Sequence, residues 1–141
     1  MLKVLLPVDG SENSNRAVKH LIHLINTLGA MEVHVVNVQP EVLYIDILLK
    51  PRQDVIDTWA QKAGRDASDS ACTLLDEAGI PYVLEFASGE VAEAIVRRAE
   101  GRQCDLIVMG TRGMGTVANL VLGSVATKVM HLSNIPVTLV R

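Results

Sequence analysis

Residues 104–125, CDLIVMGTRGMGTVANLVLGSV, carry the pattern from which the rest of the chain can be placed. An apolar run from Leu106 to Met109 ends in a glycine-rich turn, and a Gly123-Ser124 pair then opens a segment with helical character. Glycines let backbone N–H groups approach an anion with no Cβ in the way, and a helix start supplies unpaired donors and a partial positive charge. The stretch therefore predicts a strand, a phosphate-binding turn and a helix.

The same alternation of short apolar runs and amphipathic segments continues on both sides of this stretch. Helices are predicted from Glu12 to Leu28, capped by Ser11, and then at about 51–78, 91–101 and 124–132. Strands are predicted at 2–8, 31–38, 80–87, 106–109 and 136–140. Such alternation indicates right-handed crossovers, so the expected fold is a single α/β domain over 1–141, an open parallel five-stranded Rossmann-like sheet with helices on both faces.

Composition and charge exclude several classes of protein. The 141 residues have a formal net charge of −3 and contain no run of Lys or Arg, so neither nucleic acid nor a membrane surface is an expected partner. No apolar stretch approaches the roughly 18 residues of a membrane span. The two cysteines lie in apolar patterns typical of free core thiols. A cytoplasmic protein that begins at Met1 is expected.

Two familiar phosphate-binding motifs do not fit the glycine turn. A Walker A loop ends in Gly-Lys-Ser/Thr, but Leu122 precedes Gly123 here and no lysine stands nearby. A dinucleotide fingerprint over 113–118 requires an acidic residue about 20 positions later at a strand end. The printed sequence finishes instead at Arg141. The turn therefore holds its anion, if it holds one, chiefly through the backbone.

Three predicted strand ends converge if the first and fourth strands are neighbours. Asp9 follows the first strand, Val38 ends the second, and Gly110 follows the fourth. Ligands of open parallel sheets bind at the carboxyl ends of the strands where the strand order reverses. Asp9 could serve only as a turn former, and Gly110 and Gly113 could merely turn the chain. Their predicted place at the crevice favours a role in ligand binding.

The spacing of Gly110, Gly113, Gly123 and Ser124 is Gly, two residues, Gly, nine residues, Gly-Ser. Together with PVDGS at 7–11 and VQP at 38–40, it makes essentially the whole chain resemble the ATP-binding branch of the universal stress protein family. The resemblance implies the adenine nucleotide alpha hydrolase-like variety of the Rossmann-like fold. One departure is a glutamate after Gly89, where the family often has a proline.

The resemblance also implies a nucleotide site. Pro7, Val8 and Val38 would line the adenine pocket, and Asp9 would lie near the ribose or adenine. Met109 and Gly110 would flank the nucleoside. Phosphate donors would come from Gly113, Gly123, Ser124 and Val125, and Arg112 either adds a contact or extends into solvent. The implied ligand is ATP, with AMP or ADP as alternatives, together with Mg²⁺ or Mn²⁺.

Two segments bear on association. Strand 136–140 would invite pairing if it lies at a sheet edge, and the resemblance suggests an antiparallel homodimer there. Alternatively, its short length and Arg141 protect the edge. The apolar segment 42–49 either packs on the body, covers a ligand or faces an unknown protein partner.

The resemblance implies a nucleotide-dependent regulatory or stress-tolerance module with at most slow ATP hydrolysis. No residue is nominated as catalytic, and Asp9 alone is a candidate to orient a metal or water. A true ATPase or nucleotidyl-transfer enzyme is the main rival, but it would need an acid or base that the loop does not contain. A scaffold that binds no nucleotide and acts through 42–49 is the third hypothesis.

Overall fold

The computed structural model describes residues 1–40, 53–111 and 122–141. Strands and helices alternate along these residues: β1 Lys3–Pro7, α1 Glu12–Leu28, β2 Glu32–Gln39, α2 Gln53–Glu77, β3 Tyr82–Ser88, α3 Val91–Gly101, β4 Leu106–Gly110, α4 Ser124–Leu132 and β5 Val137–Val140. The five strands form one sheet in the order β3-β2-β1-β4-β5, and every neighbouring pair is parallel. The predicted fold class is confirmed, and the condition that the first and fourth strands are neighbours is met.

The sheet is covered on both faces because its central strands are apolar on both sides. Val4 and Leu6 of β1 pack with α1 and α2, while Leu5 between them packs with α3 and α4. All three side chains are fully buried. Alternate residues of a strand point to opposite faces, so a short run without polar residues builds two cores at once.

Strand and helix boundaries differ slightly from the predicted ones. Ile80 was expected to begin a strand, but its N–H donates to the Leu75 carbonyl oxygen at 3.0 Å and so completes the end of α2. Gly79 makes this possible with a φ of +70°, a conformation that glycine adopts without strain. The third strand therefore starts at Tyr82.

Side chains cap two of the helices. Ser11 is the N-cap of α1, as predicted, and its Oγ accepts a hydrogen bond from the Ser14 N–H at 3.1 Å. Glu90 is the N-cap of α3, where its Oε2 accepts from the Glu93 N–H at 2.8 Å. The glutamate that departs from the family pattern thus replaces a helix-starting proline with a helix-capping side chain.

Strands β3 and β5 occupy the two edges of the sheet. The condition set for pairing through 136–140, an edge position, is therefore met, and the strand itself spans Val137–Val140. None of the helices in the described parts of the chain is long and apolar enough to cross a membrane.

Candidate functional site

A cleft of about 490 Å³ opens at the carboxyl ends of the strands, within the size range of small-molecule sites. Nine of the eleven predicted site residues line it, namely Pro7, Val8, Asp9, Val38, Met109, Gly110, Gly123, Ser124 and Val125. The other two, Arg112 and Gly113, lie outside the described residues, as does segment 42–49. The cleft is bounded by the ends of β1, β2 and β4 and by the start of α4.

The apolar wall of the cleft is held by a buried polar residue that the sequence reasoning missed. Val8, Val38 and Met109 are each at most 9% exposed. Between them Asn37, 1% exposed, donates from Nδ2 to the Val8 carbonyl oxygen at 2.7 Å and accepts from Gln39 Nε2 at 2.6 Å. This amide ties the end of β2 to the end of β1. An asparagine between two valines of a largely buried strand was the available signal.

Asp9 is a turn former and a cleft residue at once. Its Oδ1 accepts from the Ser11 N–H at 2.9 Å, and its own N–H donates to Ser14 Oγ at 3.2 Å. These bonds set the turn from β1 into α1 and leave the half-buried Asp9 side chain at the cleft wall. The turn-forming interpretation is confirmed, and a role toward a ligand stays a prediction.

Gly110 is explained by packing alone. A Cβ atom on this residue would lie 2.9 Å from the carbonyl oxygen of Asn13 and 3.0 Å from its carbonyl carbon. Asn13 belongs to the first turn of α1 and donates from Nδ2 to the Val140 carbonyl oxygen at 3.3 Å. Glycine therefore lets α1 lie directly on the end of β4, whether or not a ligand is bound.

The start of α4 is the part of the cleft best suited to an anion. Its N-cap, Gly123, has φ −74° and ψ 163°, which any residue can adopt, and it supplies no side-chain cap. We expected the Gly123 N–H to face a phosphate, but here it donates to the Thr111 carbonyl oxygen at 2.6 Å. First-turn amides have no acceptor within their own helix, so Ser124, Val125 and Ala126 supply the donors at this wall.

Thr111 links this helix start to the edge strand. Its N–H donates to the Val140 carbonyl oxygen at 2.9 Å, while its own carbonyl accepts from Gly123. The side chain is 6% exposed, and its Oγ1 has no hydrogen-bond partner among the residues that the structure describes. The sequence offered only a weak signal, a threonine inside a glycine-rich turn.

Helices α2 and α3 close the sides of the cleft, which the sequence reasoning did not anticipate. Ala63 and Ala67 line it from α2, and Val91 and Ile95 line it from α3. Small and aliphatic side chains at these positions make the sides of the cleft apolar. They are spaced four apart on each helix, which places each pair on one face.

The described lining of the cleft carries little ionisable chemistry. Asp9 is the one ionisable side chain among its described lining residues. Within the described ranges, no group of three His, Cys, Asp or Glu residues lies close enough to hold a metal ion. His34 is 6% exposed, its Nε2 lies 2.8 Å from Glu32 Oε1, and it is not among the described lining residues of the cleft.

Comparisons with known proteins agree with this architecture. The profile of the Universal stress protein family matches residues 1–141. Universal stress protein MJ0531 of Methanocaldococcus jannaschii is 31% identical over 141 residues, which cover 99% of this chain and 81% of that protein. The solved structure of protein MJ0577 from the same organism has a TM-score of 0.80 at 27% identity, covering 99% of this chain and 94% of that one.

A more distant structure shares the fold. The universal stress protein of Archaeoglobus fulgidus, solved in complex with dAMP, has a TM-score of 0.69 at 20% identity and covers 100% of this chain and 98% of that one. Since the family profile spans every residue and a relative above 30% identity covers nearly the whole chain, this protein belongs to the universal stress protein family.

Proposed function

We propose that the protein binds ATP in this cleft and acts as a nucleotide-dependent regulatory or stress-tolerance module with at most slow hydrolysis. One observation carries the proposal: the uncapped start of α4 lies at the same cleft as an apolar wall built from three strand ends. An adenine nucleotide needs both features, a flat apolar slot for the base and backbone donors for the phosphates. AMP and ADP carry the same groups and are the alternative occupants.

The expected affinity follows from these contacts. Hydrogen bonds to a charged phosphate contribute about 1.5–3 kcal/mol each. Three such bonds from the α4 amides, together with burial of adenine against Val8, Val38 and Met109, are enough for micromolar binding, about −8 kcal/mol. No lysine is required. The dAMP complex of the Archaeoglobus protein supports an adenine nucleotide as the class of ligand to test first.

Mg²⁺ or Mn²⁺ would accompany the triphosphate. Because the described part of the cleft offers one carboxylate, the ion would be held mainly by phosphate oxygens, with Asp9 in a position to orient it or its water. The single described carboxylate also disfavours the rival enzyme, because an Asp9 that orients the ion or its water is not then available as a separate acid or base.

We also propose a cytoplasmic homodimer that pairs through strand 136–140, with 42–49 available to a further protein partner. The Pro136 carbonyl accepts from the Ile107 N–H and the Val140 carbonyl accepts from the Thr111 N–H. Alternate residues of a parallel strand bond to the same neighbour, so the N–H and C=O of Val137 point away from β4 toward the open edge. Val137→Pro removes one outward N–H and keeps the bonds to β4. Sedimentation equilibrium should show a dimer that this change converts to monomer; a monomer without the change contradicts the proposal.

Nucleotide binding is tested on the purified protein in two steps. Denaturation and chromatography should release an adenine nucleotide, and titration of ATP with Mg²⁺ should raise the unfolding temperature. Free ATP at about 100 times its Kd adds about 2.7 kcal/mol to the free energy of unfolding. Absence of both effects contradicts ATP binding and favours the scaffold hypothesis.

A matched pair of variants makes the test specific to α4. Gly123→Asp places a carboxylate at the N-cap beside the cleft and should abolish the ATP-dependent shift. Ser11→Asp places the same charge at the N-cap of α1, where it can still accept from Ser14, and should keep most of the shift. An equal loss of the ATP-dependent shift in both variants would mean that the added negative charge, and not its position at α4, weakens ATP binding.

The enzyme alternative is tested by turnover. Asp9→Asn keeps a side-chain oxygen for the Ser11 N–H and removes only the charge. Multiple turnovers of ATP that disappear in Asp9→Asn would favour an ATPase or nucleotidyl transferase. The regulatory module predicts little turnover in either protein.

A further inference from the structure

A second groove, of about 390 Å³, lies between α3 and the C-terminal part of β3. Three arginines of α3 and its C-cap, Arg97, Arg98 and Arg102, line it above small residues that include Ala87, Ala94 and Gly101. It shares no lining residue with the nucleotide cleft. We call it the arginine groove.

The arginine groove has more positive than negative charge. Glu85 of β3, whose side chain is 10% exposed, lies 3.3 Å from Arg98 Nη1 through Oε2 and contacts Arg102 Nη2 through Oε1. No acidic residue in the described parts of the chain forms an ion pair with Arg97. Arg98 and Arg102 thus share one carboxylate, and Arg97 adds a third guanidinium group, on a protein whose overall charge is −3. Each guanidinium has five N–H donors, so most remain available.

The groove runs beside an open sheet edge. Strand β3 pairs with β2 on one side only, and no strand in the described part of the chain lies on its other side. Val83 of this strand is 49% exposed. A charge buried on an edge strand discourages pairing with apolar strands. An acidic strand is different, because its carboxylates would lie within reach of the arginines that already neutralise Glu85.

We propose that the arginine groove binds an extended acidic segment of a partner protein, which adds to β3 as a further strand and places its carboxylates on Arg97, Arg98 and Arg102. Side chains opposite each other on neighbouring strands are about 4.5–5.5 Å apart, so alternate residues of the added strand come to lie beside Glu85 and Ala87. Main-chain bonds to β3 hold the segment, and arginine–carboxylate pairs select acidic sequences.

The probe is a fluorescein-labelled octapeptide of alternating glutamate and threonine, added to the full chain and followed by fluorescence anisotropy. Binding is expected at low salt and should weaken by at least about tenfold between about 25 and 200 mM NaCl, because rim charges are screened. Arg97→Glu should reduce the affinity by a further tenfold or so, and Arg97→Gln by less.

The matched control is Arg65→Glu, which makes the same charge change at an exposed arginine of α2, on the opposite face of the sheet. It should bind the peptide nearly as well as the unaltered protein. Equal losses in Arg65→Glu and Arg97→Glu, or no binding at low salt, overturn the proposal. Arg97 is exposed, so unchanged thermal unfolding should accompany the loss of binding.

Two further probes separate strand addition from simple anion binding. A peptide with alternate backbone nitrogens methylated cannot pair along one edge and should bind at least tenfold more weakly. Equal binding of the methylated peptide overturns strand addition. Inorganic pyrophosphate should displace the peptide only at an ionic strength at which NaCl also displaces it. Displacement by pyrophosphate at a much lower concentration would overturn the proposal and indicate that the arginine groove binds a small phosphate compound instead.

Discussion

Helices α1 and α4 both begin beside the nucleotide cleft, yet their first turns are built differently. The start of α1 is closed by its own chain: Ser11 Oγ accepts from Ser14, Asp9 Oδ1 accepts from Ser11, and Glu12 adds an acidic side chain. The start of α4 has a glycine N-cap, no side-chain cap and no acidic residue in its first turn.

The difference matches the proposal that α4, and not α1, holds the phosphates. Gly123 adopts dihedral angles open to any residue, so glycine is not needed there for the backbone. Serine or aspartate would stabilise the free protein by satisfying an amide of the first turn. With no side chain at that position, no side-chain cap competes for the first-turn amides of Ser124, Val125 and Ala126, which line the cleft and are where an anion would cap the helix.

The largest effect is expected where the two helix starts meet, at Gly110. Gly110→Ala places a Cβ against Asn13 and should lower the free energy of unfolding by about 2 kcal/mol, because helix α1 must move off the end of β4. Urea unfolding measures the loss. Gly101→Ala is the control, since a Cβ there meets nothing within 4 Å and stability should hardly change. Similar small effects in both would contradict the close packing.

The next largest effect is expected from a change that gives α4 a side-chain cap like that of α1. Gly123→Ser should raise the stability of the free protein by a few tenths of a kcal/mol through a new cap. It should also weaken ATP binding by about tenfold, or 1.4 kcal/mol, because the new side chain competes for the same amides. Calorimetric titration and urea unfolding measure the two quantities. An unchanged ATP affinity would contradict the idea that the missing side-chain cap of α4 serves phosphate binding.

The converse change removes the side-chain cap of α1. Ser11→Ala removes its cap and should cost about 1 kcal/mol of stability while ATP affinity changes less than about twofold. Urea unfolding and calorimetric titration again provide the measurements. Loss of ATP binding as large as that of Gly123→Ser would show that the start of α1, rather than α4, holds the ligand.

The smallest effect concerns α3, the other helix with a side-chain cap. The Glu93 N–H, followed by Lys128, holds the pKa of the Glu90 carboxyl below its usual value of 4.5. Because the pKa is lowered in the folded state, the stabilisation is present above pH 4.5 and is lost as pH falls through the folded-state pKa. Urea unfolding at pH 6.5 and below pH 4 should show a smaller decline for Glu90→Gln than for the unaltered protein. Identical declines would argue against a charged cap.

The sequence predicted the sheet well because its signals are local. Apolar runs such as Leu106–Met109 and helix caps such as Ser11 are recognised within a few residues. The strand order was not predicted, and the adjacency of the first and fourth strands was only a condition for the strand ends to converge. The cleft was located because glycine spacing and three strand ends pointed to one place. Nine predicted residues lie there, although their contacts with a nucleotide remain predictions.

What escaped the sequence depends on contacts between distant residues. Asn13 reaches Val140, 127 positions away, and its backbone is the reason for glycine at 110. The bond from Gly123 to Thr111 depends on how the turn closes, so motif spacing could not indicate that this N–H is already paired. Asn37 likewise acts on another strand, which its own surroundings in the sequence do not reveal.

Amide chemical shifts test the central claim most directly. In a titration of the ¹⁵N-labelled protein with ATP and Mg²⁺, the largest changes should fall on Ser124, Val125 and Ala126, with Val38 and Met109 responding to the base. The first-turn amides of α1, including Ser14, should change much less because their own side chains already cap them. Changes concentrated in the first turn of α1, or absent from α4, would contradict the assignment of α4 as the phosphate-binding helix.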